Sequence, residues 1–234
     1  GGPGTGKTTI IKCIIEIYEN SGMKVLLAAP TGRAAKRMSE STGREAKTIH
    51  RLLEMGVSDD ENSFFGKGEG EPLEADVIII DEAQDTSVNQ MAVFDLLSKS
   101  GVKSMFLVGD ADQSIYEWRN ASPECFLQKV EDTSWQTIEL TGNFRSSQNI
   151  CNVTSYFSAS LRGTKSNNAI GYWKDEVQKP ILLLTKNNSE NDTIDYFIKK
   201  CMEMQIGISP KNVAVLTRGR IYSDTDIKGL WKSA

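Results

Sequence analysis

Residues 1–8, GGPGTGKT, constrain the fold more than any other stretch of the chain. They satisfy the pattern GxxxxGK[ST] and run directly into helical apolar spacing at Ile10, Ile11, Ile14, Ile15 and Tyr18. Glycines let the backbone curl so that successive N–H groups face a polyphosphate, and the helix that follows adds the positive end of its dipole. Lys7 is then placed to reach the β- and γ-phosphates, and Thr8 to offer its hydroxyl to a magnesium ion. Gly1, Gly2, Gly4, Thr5, Gly6, Lys7, Thr8 and Thr9 are the expected nucleotide-binding residues. The competing reading is a Gly-rich turn before an ordinary helix, and eight matching residues in helical context weigh against it.

Strand and helix patterns alternate along the rest of the chain. Residues 24–29 read as a buried strand, 32–41 as a basic helix and 49–55 as a further helix. Residues 58–72 are polar, Gly-rich and acidic, and are expected to form a surface loop. Residues 77–80 are a second buried strand, 90–98 a helix and 104–108 a third strand. A strand at 137–140, a helix at 148–161 and a polar linker at 164–180 follow, then strand 181–185, helix 190–204 and strand 212–217. This alternation predicts an α/β fold, a parallel sheet covered by helices on both faces. A domain boundary is expected near residue 134.

Residues 77–85, VIIIDEAQD, place two carboxylates at the end of an apolar strand. Asp81 is positioned to hold magnesium through its water shell, and Glu82 to take a proton from an attacking water. A strand that ends in a charged loop is common by itself. Behind a phosphate-binding loop, the pair argues for hydrolysis of a nucleoside triphosphate with Mg2+. Lys+Arg 27 against Asp+Glu 31 gives a net charge of −4, so nucleic acid would have to bind a local groove rather than a basic surface. The four cysteines, at 13, 125, 151 and 201, have no CxxC spacing. They read as reduced thiols of a cytoplasmic protein rather than as disulfides or as zinc or iron–sulfur ligands. No apolar run reaches membrane-spanning length, so no membrane is expected as a partner.

Taken in order, GGPGTGKT, APTGRAAKRM, TIHRLL, IIIDEAQD, VGDADQSIY.WR and L.GNFRS resemble motifs I, Ia, Ic, II, III and IV of superfamily 1 DNA helicases. From Asp81 onward the match is similar to the UvrD/Rep kind, and VAVLTRGR at 213–220 resembles a later stretch of that family. The first 55 residues look more like the RecD kind. The resemblance implies a P-loop NTPase with a RecA-like parallel-sheet domain over 1–134 and part of a second RecA-like domain over 135–234. It also implies coupling of Mg-ATP hydrolysis to movement on single-stranded DNA and at duplex junctions, in the 3′→5′ sense, in repair or recombination. By the same resemblance Gln113 senses the γ-phosphate, and Arg145 reaches across the cleft to it. Pro30, Thr31, Arg33, Thr48, His50, Tyr116, Trp118 and Arg119 are then the expected DNA contacts. Thr31, Arg33 and Lys36 sit just after a strand, and residues 24–51 are locally basic, which supports contacts there with DNA phosphates. Trp118 would be a base-stacking platform, worth roughly 1–3 kcal/mol per base. The competing reading makes Tyr116 and Trp118 core aromatics and the cations a solvated helix face.

The strand from which a P-loop normally hangs would lie upstream of Gly1, and the last two family motifs would lie beyond the end of the chain. The chain by itself is therefore expected to be a fragment that binds ATP weakly and hydrolyses it negligibly. Two other classes stay open: a nucleotide- or DNA-binding module or motor subunit of a helicase–nuclease or repair complex, with no unwinding of its own, and a P-loop small-molecule kinase. RNA remains a possible substrate in place of DNA.

Overall fold

In the structure, a computed structural model, residues 1–53, 55–57, 63–65, 73–99, 102–114, 120–162 and 169–173 are described. The chain divides into two compact units, Gly1–Pro180 and Ile181–Ala234. All described residues belong to the first, so the elements expected over 181–217 lie outside them. The order is α1 (Lys7–Asn20), β1 (Val25–Ala29), α2 (Gly32–Thr42), β2 (Ala46–Thr48), α3 (Ile49–Leu52), β3 (Met55–Val57), β4 (Ser63–Phe65) and β5 (Val77–Ile80). There follow α4 (Val88–Lys99), β6 (Ser104–Leu107), α5 (Pro123–Glu131), β7 (Gly142–Ser147), α6 (Gln148–Arg162) and β8 (Ile170–Trp173).

Four strands form a parallel sheet in the order β2–β1–β5–β6, with Leu27 opposite Ile79 and Ile80 opposite Leu107. β5 explains why its sequence is apolar without a break: all four of its residues are 0% exposed. Alternate side chains enter two different cores. Val77 and Ile79 pack with Ile11 and Ile15 of α1, Leu27 of β1 and Met38 of α2. Ile78 and Ile80 pack with Ile49, Leu52, Leu53, Phe94 and Leu97 on the opposite face. Burying each such side chain contributes about 1.5–3 kcal/mol.

The end of α1 and the starts of α2 and α3 carry caps. α1 buries Ile11 and Ile15, one turn apart, and closes with Met23 N–H donating to Tyr18 O and Gly22 N–H to Glu19 O, a Schellman ending. Thr31 caps α2 by accepting from Ala34 N at 3.2 Å, and Thr48 caps α3 by accepting from Arg51 N at 3.3 Å.

Several expectations need correction. Residues 137–140 are not a strand; the strand starts at Gly142, because its partner is β8, in parallel register from Gly142 opposite Ile170 to Ser147 opposite Trp173. β8 falls inside the stretch expected to be a linker, and with α6 as crossover the three elements make a βαβ unit. The helix expected to run to Met55 stops at Leu52, and Met55 opens β3, which pairs antiparallel with β4 inside the expected loop. Strands of three or four residues carry too little periodicity to read, and it is their partners that select them. α5 was announced by Ser122–Pro123, a cap followed by proline at the first helical position, which the periodicity reading passed over.

Candidate nucleotide site and adjoining cleft

The P-loop holds itself in shape. The Thr5 hydroxyl, 5% exposed, donates to Gly2 O at 2.8 Å, and Lys7 Nζ donates to Gly1 O at 2.7 Å and Gly2 O at 3.2 Å. No side chain caps the start of α1, so its first-turn N–H groups stay available to an anion. Thr8 and Thr9 are exposed at that end.

The acidic pair lies at the end of β5. Asp81 is 6% exposed, and its Oδ1 accepts from Glu82 N at 3.0 Å. Burial and the neighbouring Glu82 push its carboxyl up, against the pull of Arg37 and Lys7. Glu82 has φ +54°, in the left-handed region that a glutamate rarely occupies. Strain of that kind costs about 1–3 kcal/mol and collects at functional positions. Burial pushes the Glu82 carboxyl up too, but a hydrogen bond from Gln84 Nε2 at 2.8 Å and an ion pair with Arg37 outweigh it and hold the group below the usual glutamate range. Glu82 is thus kept ionised, as a general base must be.

Gln84 was missed by sequence reasoning, although it stands inside the DEAQD motif. It is 1% exposed; its amide N holds Glu82, and its Oε1 accepts from Asp110 N at 2.9 Å. Asp110 in turn accepts from the Gln113 side chain. Gly109 permits this closeness, since a Cβ there would lie 2.6 Å from Gln84 Oε1. A continuous hydrogen-bonded path therefore joins the expected base to the expected phosphate sensor. Arg37, read from sequence only as one of several basic residues, is the second unforeseen partner of Glu82.

β7 docks on the P-loop, with Arg145 Cβ against Gly4. Phe144 N donates to Gly4 O at 2.8 Å, and Asn143 Nδ2 to Pro3 O at 2.7 Å. Phe144 is exposed and stacks on Tyr172, ring centroids 5.0 Å apart. The structure thus brings Lys7 and Arg145 to one loop, and joins Glu82 to Gln113.

Four of the expected DNA contacts also come together. Pro30, Thr31, Thr48 and His50 line a cleft of about 660 Å3 with Asp85, Ser87, Asn89, Gln90 and Asn120. The Thr31 and Thr48 hydroxyls serve there as helix caps, and His50 Nδ1 lies 3.3 Å from Gln90 Nε2. Arg33 is exposed on α2 and is not among the lining residues. A smaller groove, about 450 Å3, shares Gly32 and Thr48 with the first and adds Lys36, Lys47 and Arg51. Tyr116, Trp118 and Arg119 lie outside the described residues.

Asp85 is the acid in the larger cleft. Burial pushes its carboxyl up to about 6, with Glu82 adding to the rise, and its Oδ1 is buried without a hydrogen-bond partner. A folded-state value above the unfolded one means that the charged form weakens the fold above that pH, and that the penalty fades as pH falls toward the ordinary value of 3.8. Asp85→Asn is therefore expected to raise the melting temperature near pH 8 and to change it little near about pH 4. Equal shifts at both pH values would contradict this.

A family model described as an AAA domain matches residues 1–119. The ATP-dependent RecD2 DNA helicase of Deinococcus radiodurans is 41% identical over 115 residues, which are 48% of this chain and 15% of that protein. The RecBCD enzyme subunit RecB of Buchnera aphidicola is 35% identical over 139 residues, 56% of this chain and 11% of that protein. Among solved structures, a double mutant of Pif1 helicase from Bacteroides aligns with a TM-score of 0.34 at 26% identity, over 47% of this chain and 27% of that one. The chain spans 15% or less of the length of the two curated relatives.

Proposed function

The chain belongs to the AAA-domain family whose model covers residues 1–119, with the motif series of superfamily 1 helicases, and from that premise we propose that it is the motor portion of an ATP-dependent DNA helicase or translocase. Its fold is a P-loop α/β domain of the RecA-like kind. The observation that carries the proposal is the docking of β7 on the P-loop, which puts Arg145 beside the loop that bears Lys7. A second RecA-like domain starting near residue 135 is part of the proposal, and the βαβ unit β7–α6–β8 supports it.

In this reading the first-turn amides of α1 and Lys7 bind the phosphates, and a phosphate oxygen takes over the Lys7 ammonium from the carbonyls of Gly1 and Gly2. Thr8 and Asp81 fit a magnesium ion: such a site needs few protein ligands beside the phosphates, and Asp81 is a carboxylate buried to 6% exposure at the end of β5. When bound, Mg2+ offsets charge on the β- and γ-phosphate oxygens. Glu82 takes the proton of the attacking water, Arg145 offsets charge on the transferred phosphoryl group, and Gln113 signals its presence through Asp110 and Gln84. The cleft at Pro30, Thr31, Thr48 and His50 accommodates single-stranded DNA, with Ser87, Asn89, Gln90 and Asn120 and the acid Asp85 as its further polar lining.

The UvrD-like sequence of residues 109–121 supports 3′→5′ movement. A RecBCD subunit among the relatives favours a second reading, a motor subunit that works beside a nuclease in repair or recombination. Strand displacement by the complete protein on duplexes with single 3′ or 5′ tails tests both. ATP-dependent opening of the 3′-tailed duplex is expected. An exclusive need for a 5′ tail would reverse the polarity. DNA-stimulated hydrolysis without displacement would favour the second reading.

A further inference from the structure

We propose that Asn143 is a positioning residue whose carboxamide latches the Phe144–Arg145–Ser146 segment to the P-loop, and so fixes where Arg145 stands beside the transferred phosphoryl group. This rests on the reading of the P-loop and Arg145 as a hydrolytic site. Asn143 is 5% exposed, yet it works between segments far apart in the chain. Its Nδ2 donates to Pro3 O at 2.7 Å, while its Oδ1 accepts from Arg145 N at 2.9 Å and Ser146 N at 2.8 Å. Both lone pairs of the amide oxygen are thereby engaged. A parallel strut runs from Phe144 N to Gly4 O at 2.8 Å.

The latch grips the loop through the carbonyls of residues 3 and 4 and takes none of its N–H groups, which stay available to phosphate. Gly4 makes the approach possible. It has φ +78°, and a Cβ built there would lie 2.5 Å from Arg145 Cβ and 2.9 Å from Asn143 Oδ1. Arg145 is exposed, and its reach toward a phosphate starts from where this backbone segment stands. A reacting group misplaced by about 1 Å can lose roughly a hundredfold in rate.

The experiment measures kcat for DNA-stimulated ATP hydrolysis, and affinity for a fluorescent ATP analogue, in the complete protein and its variants. Asn143→Ala is expected to lower kcat by about ten- to a hundredfold with nucleotide affinity unchanged. Asn143→Asp keeps an oxygen for the two backbone amides but loses the donor to Pro3 O, and should fall in the same direction. If Asn143 acts through Arg145, the double variant Asn143→Ala/Arg145→Ala will be no slower than Arg145→Ala alone. Additive losses, a wild-type kcat in Asn143→Asp, or a loss matched by falling folded fraction and nucleotide affinity would each overturn the latch. A wild-type rate in Arg145→Ala would overturn both the latch and the role of Arg145. Undiminished hydrolysis in Lys7→Ala would instead overturn the nucleotide-site reading beneath them.

Discussion

Glu82→Gln is expected to slow ATP hydrolysis by about 10²–10⁴-fold while leaving ATP binding in place. The carboxamide has the size of the carboxylate and can still offer an oxygen to Gln84 Nε2, while the ion pair with Arg37 is lost. What disappears is the group that accepts a proton. Lys7→Ala should do the reverse and weaken binding first, because in the proposed site the ammonium binds phosphate and takes no part in proton transfer. Measured nucleotide affinity separates the two. Equal loss of binding in both variants would contradict the assignment of Glu82.

Arg145→Ala carries the second large effect. A cation that offsets charge on a transferred phosphoryl group is worth on the order of 10³-fold or more in kcat. Nothing else in β7 can substitute, since Phe144 is apolar and Ser146 uncharged. Arg145→Lys should recover only part of the loss, because an ammonium lacks the planar fork that meets two phosphate oxygens at once. Single-turnover rates at saturating ATP measure this. A fall in ATP affinity with kcat unchanged would mean that Arg145 merely helps to bind nucleotide.

The parts of this site legible in sequence are those whose chemistry is local. GGPGTGKT encodes its own turn and helix start, and VIIIDEAQD encodes a doubly buried strand ending in acids, so Lys7, Thr8, Asp81 and Glu82 can be named from spacing alone. Gln84 and Asn143 could not be. Each side chain derives its role from partners remote in sequence, Asp110 for one and Pro3 for the other. No periodicity records such a contact. The same holds for β8, which looks like linker until β7 supplies a register, and for Arg37, which looks like one more solvated cation until Glu82 is seen beside it. The family resemblance named Thr31 and Thr48 as expected DNA contacts but gave no sign of their work as helix caps.

We propose that these residues form one ATP-hydrolysing site coupled to nucleic acid. Phosphate release by the complete protein, with ATP and Mg2+, with and without single-stranded DNA, tests it most directly. Single-stranded DNA is expected to accelerate release, and Glu82→Gln to slow it by about 10²–10⁴-fold without loss of bound ATP. Release unaffected by single-stranded DNA, or retained in Glu82→Gln, would contradict it.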